Sequence, residues 1–161
     1  MTPMMTEELA LPDAAATRRL GAALAAGIAP GRVLYLSGDL GSGKTTLVQG
    51  LLSELGVAGR VKSPTYSLVE HYELSSINLY HFDFYRFTNR SEWEASGFRD
   101  YFTPATTCVV EWPERAVGLL AAPDLEVRLA YAGSGRCARL TPYSTLGREW
   151  LTAALKRWSQ A

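Results

Sequence analysis

Val33-Leu34-Tyr35-Leu36-Ser37-Gly38-Asp39-Leu40-Gly41-Ser42-Gly43-Lys44-Thr45-Thr46-Leu47-Val48-Gln49-Gly50-Leu51-Leu52 decides how this chain is read. Residues 33–37 are a short apolar run of the kind that forms a buried strand, and residues 44–52 follow a helical pattern. Between them, Gly38-x-x-x-x-Gly43-Lys44-Thr45 fills every required position of the phosphate-loop pattern. Glycines let the backbone curl until several N–H groups converge on one anion, and the following helix turns its positive end toward the same point. In that chemistry Lys44 bridges β- and γ-phosphates, and the Thr45 hydroxyl enters a Mg²⁺ shell. The strand before and the helix after supply the context that separates the motif from a chance glycine-rich turn.

Working outward, residues 13–26 carry Ala16, Leu20, Ala23 and Leu24 at helical spacing behind Asp13, a good N-cap. Residues 65–74 and 77–84 read as extended segments joined at Ser75-Ser76, a hairpin. Residues 91–102 read as a helix capped by Ser91 and weakened at Gly97. Thr107-Cys108-Val109-Val110-Glu111-Trp112 is a second β-branched run, stopped by Pro113. Residues 124–132 and 136–143 alternate like strands around Gly133-Ser134-Gly135, and Leu146, Trp150, Leu151, Ala154, Leu155 and Trp158 line one face of a final helix. The expectation is one domain over residues 1–161, an α/β sandwich of the P-loop NTPase type. Its core sheet is mostly parallel, with antiparallel flanking strands and helices on both faces.

Composition narrows the function. The chain has 161 residues, of which 47% are hydrophobic and 20% charged, enough for one packed core. Sixteen basic and sixteen acidic residues cancel, which lowers the prior for a dedicated nucleic-acid binder and points away from DNA. The opening MTPMMTEELALP has no basic region and is not a signal peptide. No apolar stretch is long enough for a membrane span, so the chain reads as cytoplasmic. Cys108 and Cys137 are too few for a disulfide framework and read as reduced core residues.

A phosphate loop needs a carboxylate at a neighbouring strand end to hold Mg²⁺ or its waters. Glu111, ending the run 107–110, and Asp83, in His81-Phe82-Asp83-Phe84-Tyr85-Arg86, both fit. Which of the two orients an attacking water stays open. Ser63-Pro64-Thr65-Tyr66 stands where a switch segment would reach a γ-phosphate, with the Thr65 hydroxyl as its sensor. No Asn-Lys-x-Asp tetrapeptide exists to read guanine, so adenine is the expected base. Arg86, Arg90 and Arg99 are scattered among aromatics, unlike the clustered lid of a small-metabolite kinase. His71 and His81 have no ligand-like spacing, and His81 reads as a half-buried structural residue that could assist Asp83.

The ordered blocks GDLGSGKTT, VKSPTYSLVE, YHFDFYR, GFRDYF and VVEWPE resemble the TsaE family, from about Leu11 to the strand containing Arg136. The resemblance implies an ATP-binding protein that works with TsaD and TsaB in placing threonylcarbamoyl on adenosine 37 of tRNA, through a weak ATPase cycle that supports or resets their core. It implies that Leu40 to Thr45 contact ATP with Thr46 beside them, and that Thr45 and Glu111 ligate Mg²⁺. It sets Asp83 near the γ-phosphate, Trp112 beside the nucleotide, and Arg136 as a basic residue reaching it. Ser42 replaces a common Ala harmlessly, whereas Ala14 stands where relatives often carry an acid. Two alternatives remain at this level: a small-metabolite kinase, and a nucleotide-gated binding module with negligible catalysis.

Nine of the 17 aromatic residues lie between Tyr80 and Phe102. Residues 70–114 hold three Arg against eight acids, too few cations to follow an RNA backbone. Core packing plus a protein interface is the expected use, with tRNA met indirectly.

Overall fold

The computed structural model describes residues 5–59, 61, 64 and 66–160. Among these residues seven strands form one sheet in the order β1-β7-β6-β2-β5-β4-β3. The strands are β1 (Glu7–Leu11), β2 (Val33–Ser37), β3 (Val69–Glu73), β4 (Asn78–Asp83), β5 (Thr106–Glu111), β6 (Leu125–Ala132) and β7 (Gly135–Pro142). The central strands β6, β2, β5 and β4 run parallel, and β3, β7 and β1 are added antiparallel at the flanks. Among the described residues there are also four α-helices: α1 (Ala14–Leu24), α2 (Lys44–Glu54), α3 (Arg90–Ser96) and α4 (Thr145–Ser159).

The sheet's two faces differ. On one, Leu34, Leu36, Leu79, Val109, Val127 and Leu140 pack against Leu20, Leu24, Leu47, Leu51 and Trp150 of α1, α2 and α4. On the other, Phe82, Phe84, Cys108 and Val110 meet Phe87, Trp93 and Phe98 around the short α3. The aromatic concentration is therefore core: Phe82 stacks on Phe84 at 5.4 Å and on Phe102 at 5.2 Å. Helical cover on this second face is thin, a seven-residue helix and 3-10 turns packed over β4, β5 and Tyr35 of β2. Glu8, Ala10, Arg128 and Arg139 of β1, β6 and β7 are exposed.

Local chemistry explains the boundaries. Asp13 caps α1 by accepting from the Ala16 amide at 2.9 Å, and Ser144 caps α4 by accepting from Gly147 at 3.0 Å. The helix expected over 91–102 is shorter. Asn89, not Ser91, is its N-cap, accepting from the Ser91 amide at 2.8 Å. Gly97 turns left-handed with φ 67° and ends it, and residues 98–101 continue as a 3-10 turn. Strand β1 is not visible in the opening residues as a pattern, because it is an edge strand of five residues, two Glu followed by three apolar side chains, with no alternation to mark it.

Candidate functional site

The carboxyl ends of β2, β5 and β4 converge on one edge. Beyond β2 the chain bends into residues 38–43, where Gly38 has φ 145°. A Cβ there would stand 2.5 Å from the Leu129 carbonyl and 2.6 Å from Ser42 Oγ, so only glycine fits between the loop and β6. Gly43 is left-handed, with φ 109°, and opens α2 with no side chain capping its amides. An uncapped helix N-terminus keeps its first-turn N–H groups for a ligand. The loop is held from the β6–β7 hairpin: the Tyr131 hydroxyl donates to Leu40 O at 2.7 Å, and Arg136 Nη2 donates to Gly41 O at 3.0 Å.

A cavity of about 410 Å³ lies against this loop. Leu40, Gly41, Ser42, Gly43, Lys44, Thr45, Thr46, Asp83, Glu111 and Trp112 line it. Gly38, expected among the binding residues, is not part of the lining; it turns the chain from β2 into the loop. Asp83 and Glu111 are register partners on adjacent parallel strands, so the two carboxylates share one level and one face of the sheet. They are 6% and 3% exposed. Asp83 Oδ1 accepts from the Tyr85 amide at 2.9 Å. Lys44 donates to the carbonyls of Gly38 and Asp39, and its Nζ sits 4.3 Å from the centre of the Trp112 ring. Burial holds the Lys44 ammonium below the ordinary lysine range, and the carboxylates of Glu111, Asp83, Glu114 and Asp39 pull against that shift. Trp112 reaches this position from a left-handed backbone, φ 56°, directly after β5.

Arg136 stands apart from this cluster. It lines a smaller hollow of about 170 Å³ on the other side of Gly41–Gly43, with Asp13, Ala14 and Thr17 of the α1 start, and its guanidinium lies 4.3 Å over Tyr131. Thr65 and Ser63 lie outside the described residues. His81 is fully buried, not half-buried, and its partner is Glu111 at 2.6 Å instead of Asp83. The reason is register: His81 pairs with Val109, which sets it diagonally beside Glu111. Sequence reasoning also missed Tyr85, which lines the main cavity, and Tyr131, which braces the loop. Tyr85 follows Asp83 by two positions, a signal of strand-end proximity. Tyr131 lies 91 residues from Leu40, and only the sheet order brings them together. A larger hollow of about 640 Å³, between residues 113–123 and β6, includes none of the expected site residues.

Among the described residues no three His, Cys, Asp or Glu side chains gather into a metal cage. The oxygen donors that do meet at the main cavity, two carboxylates and the Thr45 hydroxyl, suit a hard cation that keeps water and borrows phosphate oxygens.

Strand, glycine loop and uncapped helix, flanked by two acidic strand ends on the carboxyl edge of an open sheet, define an α/β protein with the architecture the loop motif predicts. The model of one family, "Threonylcarbamoyl adenosine biosynthesis protein TsaE", matches residues 11–139, and the chain belongs to the TsaE family. A tRNA threonylcarbamoyladenosine biosynthesis protein TsaE from Haemophilus influenzae is 43% identical over 121 residues, covering 75% of this chain and 77% of that protein. One from Bacillus subtilis is 37% identical, covering 73% of each chain. The crystal structure of Bacillus subtilis YdiB superposes with a TM-score of 0.79 at 25% identity, covering 97% of both chains.

Proposed function

We propose that the chain binds ATP with Mg²⁺ at the 410 Å³ cavity and hydrolyses it weakly in the cytoplasm, serving TsaD and TsaB in the formation of threonylcarbamoyladenosine on tRNA. The observation that carries this reading is the meeting of Lys44, Thr45, Asp83 and Glu111 around one cavity at the mouth of an uncapped helix. Mg²⁺, when bound, neutralises charge on the β- and γ-phosphates and orients them. Thr45 and Glu111 are the residues that would hold it. The amides of Gly41 to Thr45 receive the phosphates, and Lys44 leaves the Gly38 and Asp39 carbonyls to bridge them. Asp83, held at the strand end by the Tyr85 amide, orients the attacking water. Trp112 covers the Lys44 end of the cavity. On the far side of the loop, Asp13, Thr17 and Arg136 offer a place for the adenine.

Phosphate release by the purified chain, alone and with TsaD and TsaB, tests the reading. Weak release that rises with the partners and disappears in Lys44→Ala supports it. Normal turnover in Lys44→Ala removes the site assignment, and phosphoryl transfer to a small molecule would make the protein a kinase.

A further inference from the structure

His81 is buried beside the site, and the chemistry proposed above makes no use of it. Along β4 the residues on the α2-side face run Leu79, His81, Asp83; along β5 they run Thr107, Val109, Glu111. Each strand therefore passes from apolar core to carboxylate, and His81 stands at the boundary between the two. Its Nε2 lies 2.6 Å from Glu111 Oε2, with the two side chains 1% and 4% exposed, and its Nδ1 has no partner among the described residues. An ionised carboxylate only accepts, so His81 Nε2–H is the donor in this bond. The bond engages Oε2. Oε1 makes no hydrogen bond with a described residue, and Glu111 lines the cavity.

We infer that His81 is a positioning residue for Glu111: it fixes the plane of the carboxylate and leaves Oε1 for the divalent cation. The inference rests on the reading of Glu111 as a cation ligand. Ligating carboxylates depend on such outer hydrogen bonds for their orientation. A histidine kept merely for volume would be served as well by any polar residue of similar size, and that difference is testable.

The measurement is the affinity of the full chain for ADP by calorimetric titration, once with Mg²⁺ and once with EDTA; the ratio is the magnesium gain. His81→Gln sets an amide nitrogen where Nε2 stands, and His81→Asn sets one where Nδ1 stands and cannot reach Glu111. The Asn variant is expected to lose about tenfold or more of the gain with its EDTA affinity within about twofold of wild type, while the Gln variant returns to within about threefold. Thermal midpoints of the same samples confirm folding. Full magnesium gain in the Asn variant, or equal losses in both folded variants, overturns the inference. Glu111→Gln separates the two levels. If it keeps the gain, or wild type has none, the reading of Glu111 falls and the inference with it. If it loses the gain while the Asn variant keeps it, the role of His81 alone falls.

Discussion

Gly21 and Gly50 offer a measurement in which two effects of opposite sign compete. In an exposed helix either glycine would gain about 1 kcal/mol on replacement by alanine. Here α1 and α2 cross so closely that a Cβ on Gly21 would stand 2.0 Å from the Leu47 carbonyl, and one on Gly50 would stand 2.0 Å from the Arg18 carbonyl. Both obstacles are helix backbone and cannot rotate away. Reaching even 3.0 Å requires the helices to part by about 1 Å. A gap of that size forfeits a quarter to a half of each dispersion contact across the crossing, where Leu20, Leu24, Leu47 and Leu51 are all buried. Overpacking of this kind costs about 1–3 kcal/mol, and the rigid obstacle puts this site at the upper end. After the propensity gain, each single variant should lose about 2 kcal/mol, a fall of about 4–8 °C in Tm for a domain of this size. Because the first alanine already opens the gap, the double variant should lose about 3 kcal/mol, less than the sum. Urea unfolding with an unchanged m-value reads all three. A single variant more stable than wild type, or a double variant additive within about 0.5 kcal/mol, refutes the close crossing.

Two further outcomes follow from buried polar groups. At the amino edge of the sheet, Asp124 accepts from the Val33 amide at 2.8 Å and the Ser144 hydroxyl at 2.6 Å, tying β2 to the cap of α4. Asp124→Ala should cost about 2–3 kcal/mol in urea unfolding. Nucleotide affinity of the folded protein should be unchanged, since this edge is opposite the site, and a loss of affinity at full stability would contradict that division. Burial pushes the Cys108 thiol up to about 12, and burial together with Glu126 pushes Tyr35 to about 12. Both groups are neutral when protonated, so above pH 9 the unfolded chain releases protons that the folded chain retains, and stability falls as pH rises. The urea midpoint should decline from about pH 9 upward, less steeply in Cys108→Ala; identical slopes in the two proteins would refute the shift at Cys108.

Most of the candidate site was legible in the sequence because most of it is local. Gly38 to Thr45 is one turn and one helix start, and its strand-loop-helix context lies within twenty residues of chain. Asp83 and Glu111 were readable because each ends an apolar run, and strand ends deliver side chains to the sheet edge. What stayed hidden depends on strand order and register. The bond from His81 to Glu111 spans 30 residues and exists because β4 pairs with β5 at His81–Val109. The braces on the loop, Tyr131 and Arg136, depend on β6 lying beside β2, which alternation in residues 124–132 does not reveal. Strand β1 was missed for a related reason: five residues at a sheet edge carry too little pattern, and antiparallel pairing with β7 is what makes them a strand. Gly97 shows the opposite case, a local signal whose full weight the structure supplies, since its left-handed turn ends α3.

The zero net charge of the chain also changes meaning once the fold is drawn. Residues 70–114 carry the acidic excess, including Asp83 and Glu111, and Lys44 comes from the basic stretch before them. The fold brings these opposite charges to one cavity, where Lys44 feels both carboxylates while bonding the Gly38 and Asp39 carbonyls. In the proposed reading a phosphate draws Lys44 away from that balance and adds negative charge beside two buried carboxylates. Like charges crowded in a poorly solvated site repel strongly. A divalent cation relieves that repulsion, so phosphate and cation each favour the other's binding, and by linkage the two couplings are equal. In that reading the buried lysine is countercharge to the two carboxylates before it is a phosphate ligand, and the exchange between those partners would link the nucleotide to its metal.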